Sequence, residues 1–194
     1  MAAVGLSWEE AKIYLIPGVV IACDNSHKGV TISGDADKLE LVMADIKNSY
    51  PDILTSLLKV NRAYHSHHMM EVGKEYYRTM ASSGVVGKTP QVPLFSTVTG
   101  ELWTNGQLGP KYWQDNLELL VRFKTAVCSL LKYAAIKHPV FLEVGPHPSL
   151  TGPVRQILTH ESKTGPTIVP TIKRRQNDIE DFLISSWKAI YPSR

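Results

Sequence analysis

The sequence predicts an α/β protein in two regions: a β-α-β-β-α-β unit over residues 1–66, then the flank of a larger parallel α/β body over residues 67–172. Three observations carry this reading. Within the first 65 residues, short apolar runs alternate with helix-period stripes in one order. Beyond residue 67, short apolar strands are separated by helices, the pattern of a parallel sheet. The composition, 43% hydrophobic and 20% charged, is that of an ordinary globular chain.

In the first region, Ala2-Ala3-Val4-Gly5-Leu6 reads as a short strand, and Ser7-Trp8-Glu9-Glu10 as a capping box that opens a helix. Residues 19–23 and 30–33 are strands around the polar turn Asp24-Asn25-Ser26-His27-Lys28-Gly29. Gly34-Asp35 starts a helix whose Leu39, Val42 and Ile46 share a face and which stops before Tyr50-Pro51. Residues 57–65 are expected as the fourth strand, with Leu58, Val60 and Tyr64 on one side. This is the ferredoxin-like order.

In the second region, Met69, Val72, Tyr76 and Met80 make one helical stripe, and Leu120, Phe123, Val127, Leu130 and Ala134 another. Residues 94–98, 140–144 and 167–171 read as strands, with a turn at Thr99-Gly100 and a helix after Gly145-Pro146-His147-Pro148. Three short strands make a poor sheet alone, so the body is expected to be incomplete, its sheet centre lying elsewhere. Residues 173–194 form an exit segment and an amphipathic terminal helix through Ile179, Phe182, Leu183, Trp187 and Ile190.

A net charge of +3 is too small to imply a nucleic-acid partner. The longest apolar stretch, residues 13–23, is broken by Pro17-Gly18 and falls short of the roughly 20 residues of a membrane span. Glu9 and Glu10 stand where a signal peptide needs a basic patch. Cys23 and Cys128, far apart in apolar surroundings, read as reduced thiols. The expected location is therefore the cytoplasm, with neither membrane nor nucleic acid as partner.

Four segments carry more specific information: Ala63-Tyr64-His65-Ser66-His67-His68-Met69; Tyr112-Trp113-Gln114-Asp115-Asn116-Leu117 with Val121-Arg122-Phe123; Phe141-Leu142-Glu143-Val144-Gly145-Pro146-His147-Pro148; and Ile168-Val169-Pro170-Thr171-Ile172-Lys173-Arg174-Arg175. In order and spacing they resemble the C-terminal part of the malonyl-type acyltransferase (malonyl-CoA:acyl carrier protein transacylase-like) domain of fungal iterative polyketide synthases. The resemblance implies an α/β-hydrolase-like body into which the ferredoxin-like unit is inserted as a small subdomain.

What the resemblance implies for chemistry is acyl transfer from coenzyme A to a carrier-protein thiol. His65 would be the catalytic base, since an imidazole titrates near the working pH. Tyr64 would crowd the acyl α-carbon and favour malonyl over methylmalonyl units. Arg62, where malonyl-type members often carry histidine, and Asn116 would complete the substrate contacts. The loop of Gly145, Pro146 and His147 would offer the carbonyl that orients the imidazole. No cofactor is expected on the chain. Malonyl-CoA would be the substrate, and phosphopantetheine would arrive on the partner acyl carrier protein.

The family's nucleophile lies in a Gly-His-Ser-x-Gly elbow, and no such pattern occurs in the 194 residues. Ser7 reads as a helix N-cap. The serine-bearing half is therefore expected from a separate or longer polypeptide, alongside neighbouring polyketide synthase domains. The competing expectation is a non-catalytic remnant or carrier-docking module. No metal is expected: His65 and His67 would share one strand face, His68 would point away, and no Cys or carboxylate is expected nearby. Asn25 reads equally as a substrate contact or a turn residue, and Trp113 and Phe123 as core.

Overall fold

The computed structural model describes residues 1–133, 139–163, 167–172 and 180. The chain forms two compact units, Met1–Leu130 and Leu131–Arg194.

The first unit is built on a four-stranded sheet. Strand β1 (Ala2–Val4) leads through the capped helix α1 (Trp8–Ala11) to β2 (Val19–Ser26); β3 (Gly29–Gly34) and helix α2 (Ala36–Ser49) follow, then β4 (Thr55–Leu57). The sheet order is β2-β3-β1-β4, with every pairing antiparallel, which is the ferredoxin-like topology expected from the element order. The period-2 pattern of the strands turns Ala2, Val4, Val30 and Ile32 to one face, and the α2 stripe of Leu39, Val42 and Ile46 closes over that core. At Ser7 both capping-box bonds form: its Oγ accepts from the Glu10 N–H, and its N–H donates to the Glu10 carboxylate at 2.8 Å.

Two strands differ from expectation. Strand β2 runs on through Asp24 and Asn25 to Ser26, and Asn25 Nδ2 donates to Thr31 Oγ1 across the hairpin at 3.2 Å rather than shaping a turn. Strand β4 covers only Thr55–Leu57, because Val60 N–H bonds to the carbonyl of Leu58 at 2.8 Å and folds the chain out of the ladder. Residues 61–66 are thus irregular, and His67–Met69 form a 3₁₀ turn entering α3 (Met70–Ser82).

Register shifts in β2 fall between Ile21 and Cys23 and between Asp24 and Ser26. The bulged outer edge of β2 takes up residue 121: Val121 N–H donates to Ala22 O and Asp24 N–H to Val121 O, each at 2.9 Å. A half-sealed ion pair between Lys124 Nζ and Asp24 Oδ2, 2.9 Å, lies beside this junction. The expected subdomain boundary at residues 66/67 therefore falls inside one compact unit. Beyond it, residues 94–98 make a tight hairpin around Gly100 with a single bridge, Phe95–Leu102, in place of the expected strand. Helices α4 (Pro110–Glu118) and α5 (Phe123–Lys132) follow.

In the second unit, β5 (Val140–Glu143) and β6 (Thr167–Pro170) pair in parallel around helix α6 (Thr151–His160). The expected exit segment and terminal helix lie outside the described residues. Among the described residues no helix is long and apolar enough to cross a membrane.

Candidate active site

His65 has a left-handed backbone, φ 58°, a conformation that costs most L-residues about 1–2 kcal/mol and in which His is over-represented. Two backbone bonds from the end of α4 hold it there. Its N–H donates to Leu117 O at 3.3 Å, and its Nδ1 lies 2.9 Å from Leu119 O. A carbonyl can only accept, so Nδ1 carries the proton and the Nε2 lone pair is the basic one. The last carbonyls of a helix have no partner within it, and Leu119 is the C-cap of α4, which explains why this end is where an imidazole can anchor. Burial lowers the His65 pKa from its ordinary 6.5, with the Leu119 carbonyl pulling the other way. The ring is thus neutral, and a base, at neutral pH.

The carbonyl beside the imidazole is that of Leu119; the expected orienting loop of Gly145, Pro146 and His147 belongs to the second unit. That loop is organised within its own unit. The Glu143 carboxylate accepts from Ser149 N–H (2.7 Å), Leu150 N–H (2.9 Å) and Thr151 Oγ1 (2.9 Å), while Gly145 N–H donates to Thr171 Oγ1 at 3.1 Å. Burial alone would raise the Glu143 pKa; these bonds outweigh it and lower the value. The glutamate serves the loop and the start of α6, and His147 stands exposed.

A pocket of about 340 Å³ opens beside His65, lined by Tyr64, Val72 and Tyr76 with Trp113, Asn116 and Leu117. Val72 and Tyr76 are one turn apart on α3, and α4 supplies the last three, so the α3–α4 crossing makes the pocket. The helices approach closely at Gly73, where a Cβ would lie 1.8 Å from Glu118 Oε1. Tyr64 and Asn116 thus line one pocket with His65. Arg62 does not: it lines a neighbouring groove of about 730 Å³ with Leu57, Leu58 and Val60. Trp113, expected in the core, is 39% exposed and forms pocket wall, its Nε1 donating to Leu108 O at 3.1 Å. Sequence offered no sign of the Leu117 and Leu119 carbonyls, since any residue supplies a backbone acceptor. The helix end itself, ahead of Val121, was the available clue.

His67 and His68 do not extend a strand face with His65. In the 3₁₀ turn both rings swing to one carboxylate, with Nε2 of His67 3.0 Å and of His68 2.8 Å from Asp35 Oδ1. The expectation of no carboxylate near these histidines fails because α2 delivers Asp35 from 32 residues upstream of His67.

A model of the acyl transferase domain family matches residues 1–190. The highly reducing polyketide synthase sphB of Aspergillus fumigatus is 47% identical over 189 residues, which cover 94% of this chain and 7% of that protein. Squalestatin hexaketide synthase of Phoma sp. is 46% identical over 184 residues, again 94% of this chain and 7% of the relative. The chain thus spans a small fraction of these relatives. The acyltransferase domain from module 8 of the salinomycin polyketide synthase superposes with a TM-score of 0.86 at 27% identity, covering 97% of this chain and 44% of that one. A loading acyltransferase from the avermectin modular polyketide synthase is alike in fold, with a TM-score of 0.83 at 22% identity over 96% of this chain and 57% of the other.

Proposed function

We propose, on the premise that the chain belongs to the acyl transferase domain family, that it carries the general base of a polyketide-synthase acyltransferase. This enzyme would load malonyl units from malonyl-CoA onto an acyl carrier protein. The observation that carries the reading is the geometry of His65, a half-buried imidazole whose Nδ1–H is committed to Leu119 O at 2.9 Å at the edge of a small pocket.

The chemistry runs in two halves. A serine hydroxyl, supplied from outside these 194 residues, attacks the thioester carbonyl of malonyl-CoA while His65 Nε2 takes its proton. The C–S bond breaks and the imidazolium returns that proton to the departing thiolate. In the second half the same nitrogen takes the thiol proton of the carrier's phosphopantetheine, whose sulfur attacks the seryl ester. The proton then goes to the serine oxygen as it leaves. An imidazole that is neutral at rest suits both halves. Tyr64 in the pocket wall supports a preference for malonyl over α-methylated donors; one pocket methyl is worth about 1–3 kcal/mol.

The test is transfer of labelled malonyl from malonyl-CoA, with the chain alone and with a serine-bearing acyltransferase half added. Label is expected on the carrier protein only in the complemented sample. Stable labelling of the chain alone would refute an external nucleophile, and a folded complemented complex that transfers nothing would remove the transferase reading.

A further inference from the structure

We propose that Asp35, His67 and His68 form a binding site for one divalent transition-metal ion of zinc's class, separate from the His65 pocket. The donor set is two imidazole nitrogens and one carboxylate oxygen, all within 4.8 Å of one another. Two neutral imidazoles with a carboxylate suit zinc, cobalt or nickel better than calcium or magnesium, which prefer all-oxygen shells.

The carboxylate-to-imidazole geometry needs little change. In a tetrahedral zinc site, bonds of about 2.0–2.1 Å place neighbouring donors about 3.3 Å apart. The observed 3.0 and 2.8 Å separations from Asp35 Oδ1 to the two Nε2 atoms lie within a few tenths of an ångström of that. A carboxylate only accepts, so both Nε2 atoms carry hydrogens here. An ion replaces those two hydrogens, each neutral ring keeping its proton on Nδ1 instead. The imidazoles are 48% and 46% exposed, so the ion has an open approach and room for water as a further ligand.

The donors are also held from behind. Asp35 occupies the N-cap position of α2, yet its carboxylate makes no capping bond. One oxygen, Oδ2, accepts from Lys38 Nζ at 2.8 Å, leaving Oδ1 to face the histidines. Gly18, at φ 99°, packs against this carboxylate so closely that a Cβ there would lie 2.4 Å from Oδ2. On the other side, buried Ser66 donates to Ala63 O at 2.6 Å and accepts from His68 N–H at 3.3 Å, which fixes the start of the turn bearing both rings. The two imidazoles lie 4.2 Å apart, 34° from parallel. Such orienting partners are what a metal site requires of its surroundings. Lys38 opposes the ion by charge and sets the affinity below that of a site without it.

The experiment is titration of the full chain, made without a histidine tag, with ZnCl₂ and with CoCl₂. Calorimetry and the visible absorption of Co²⁺ are the readouts. One equivalent is expected to bind and to raise the melting temperature. Asp35→Asn and the His67→Gln/His68→Gln pair are each expected to weaken binding at least about tenfold. Lys38→Gln, which leaves every donor in place, is expected to tighten it several-fold. No uptake by the wild type, or unchanged affinity in the Asp35 and histidine variants, overturns the site. Unchanged or weaker binding by the Lys38 variant does the same.

Discussion

His65 combines a left-handed backbone, a half-buried ring and two carbonyl partners. Asparagine tolerates φ near +58° and cannot serve as a base, so His65→Asn should melt like the wild type while transfer by the complemented enzyme falls about 10²–10⁴-fold. The lowered pKa has a defined pH consequence. Between 6.5 and the folded value, the unfolded chain binds a proton that the native ring refuses. Stability contributed here is intact above 6.5 and declines as the pH falls below it. The acid limb of the transfer rate should also lie below 6.5, and NMR titration of the His65 ring checks both. This residue was legible in sequence only through its neighbours in the chain. Its partners at 117 and 119 were not, because a backbone carbonyl carries no signature.

At the scale of elements, periodicity was a good guide wherever a face is buried. Leu39, Val42 and Ile46 are all covered, and the strand order follows the element order. It failed where backbone bonding overrides the side-chain pattern. Leu58, Val60 and Tyr64 alternate as a strand would, yet the Leu58–Val60 turn ends β4, so these side chains stay partly exposed. The α3–α4 crossing that walls the pocket was likewise hidden, since it turns on one close approach at Gly73. Gly73→Ala should change stability by less than about 1 kcal/mol, because the new Cβ meets only the flexible end of Glu118, and the loss of its 2.9 Å bond from Gln114 is offset by the better helix propensity of alanine. Adding Glu118→Ala removes the collision, so denaturant melts of the four chains should give a double-mutant cycle with a favourable coupling.

For the whole molecule, the informative surface is the groove lined by Leu57, Leu58, Val60 and Val72, all of them substantially exposed beside the edge strand β4. An apolar face next to an open strand edge favours association. Sedimentation velocity of the lone chain should show concentration-dependent self-association, and Leu57→Lys with Val60→Lys should reduce it without lowering the melting temperature. The strand order placed a boundary at 66/67, and the division into 1–130 and 131–194 was not legible in it. The reason is the junction of residue 121 with Ala22 and Asp24, a pairing between segments about a hundred residues apart.

That junction also bears on motion. The five residues 117–121 accept from His65 N–H and Nδ1–H, donate to Ala22 O and accept from Asp24 N–H. No one of these bonds can be lost through displacement of the strap without straining the others. The base and the bulged strand should therefore open together, as one cooperative unit. In native-state hydrogen exchange, the amides of Asp24, His65 and Val121 should share a single opening free energy, and a substitution that loosens the strap should shift all three equally. The orientation of the His65 imidazole is then tied to the local stability of a sheet edge.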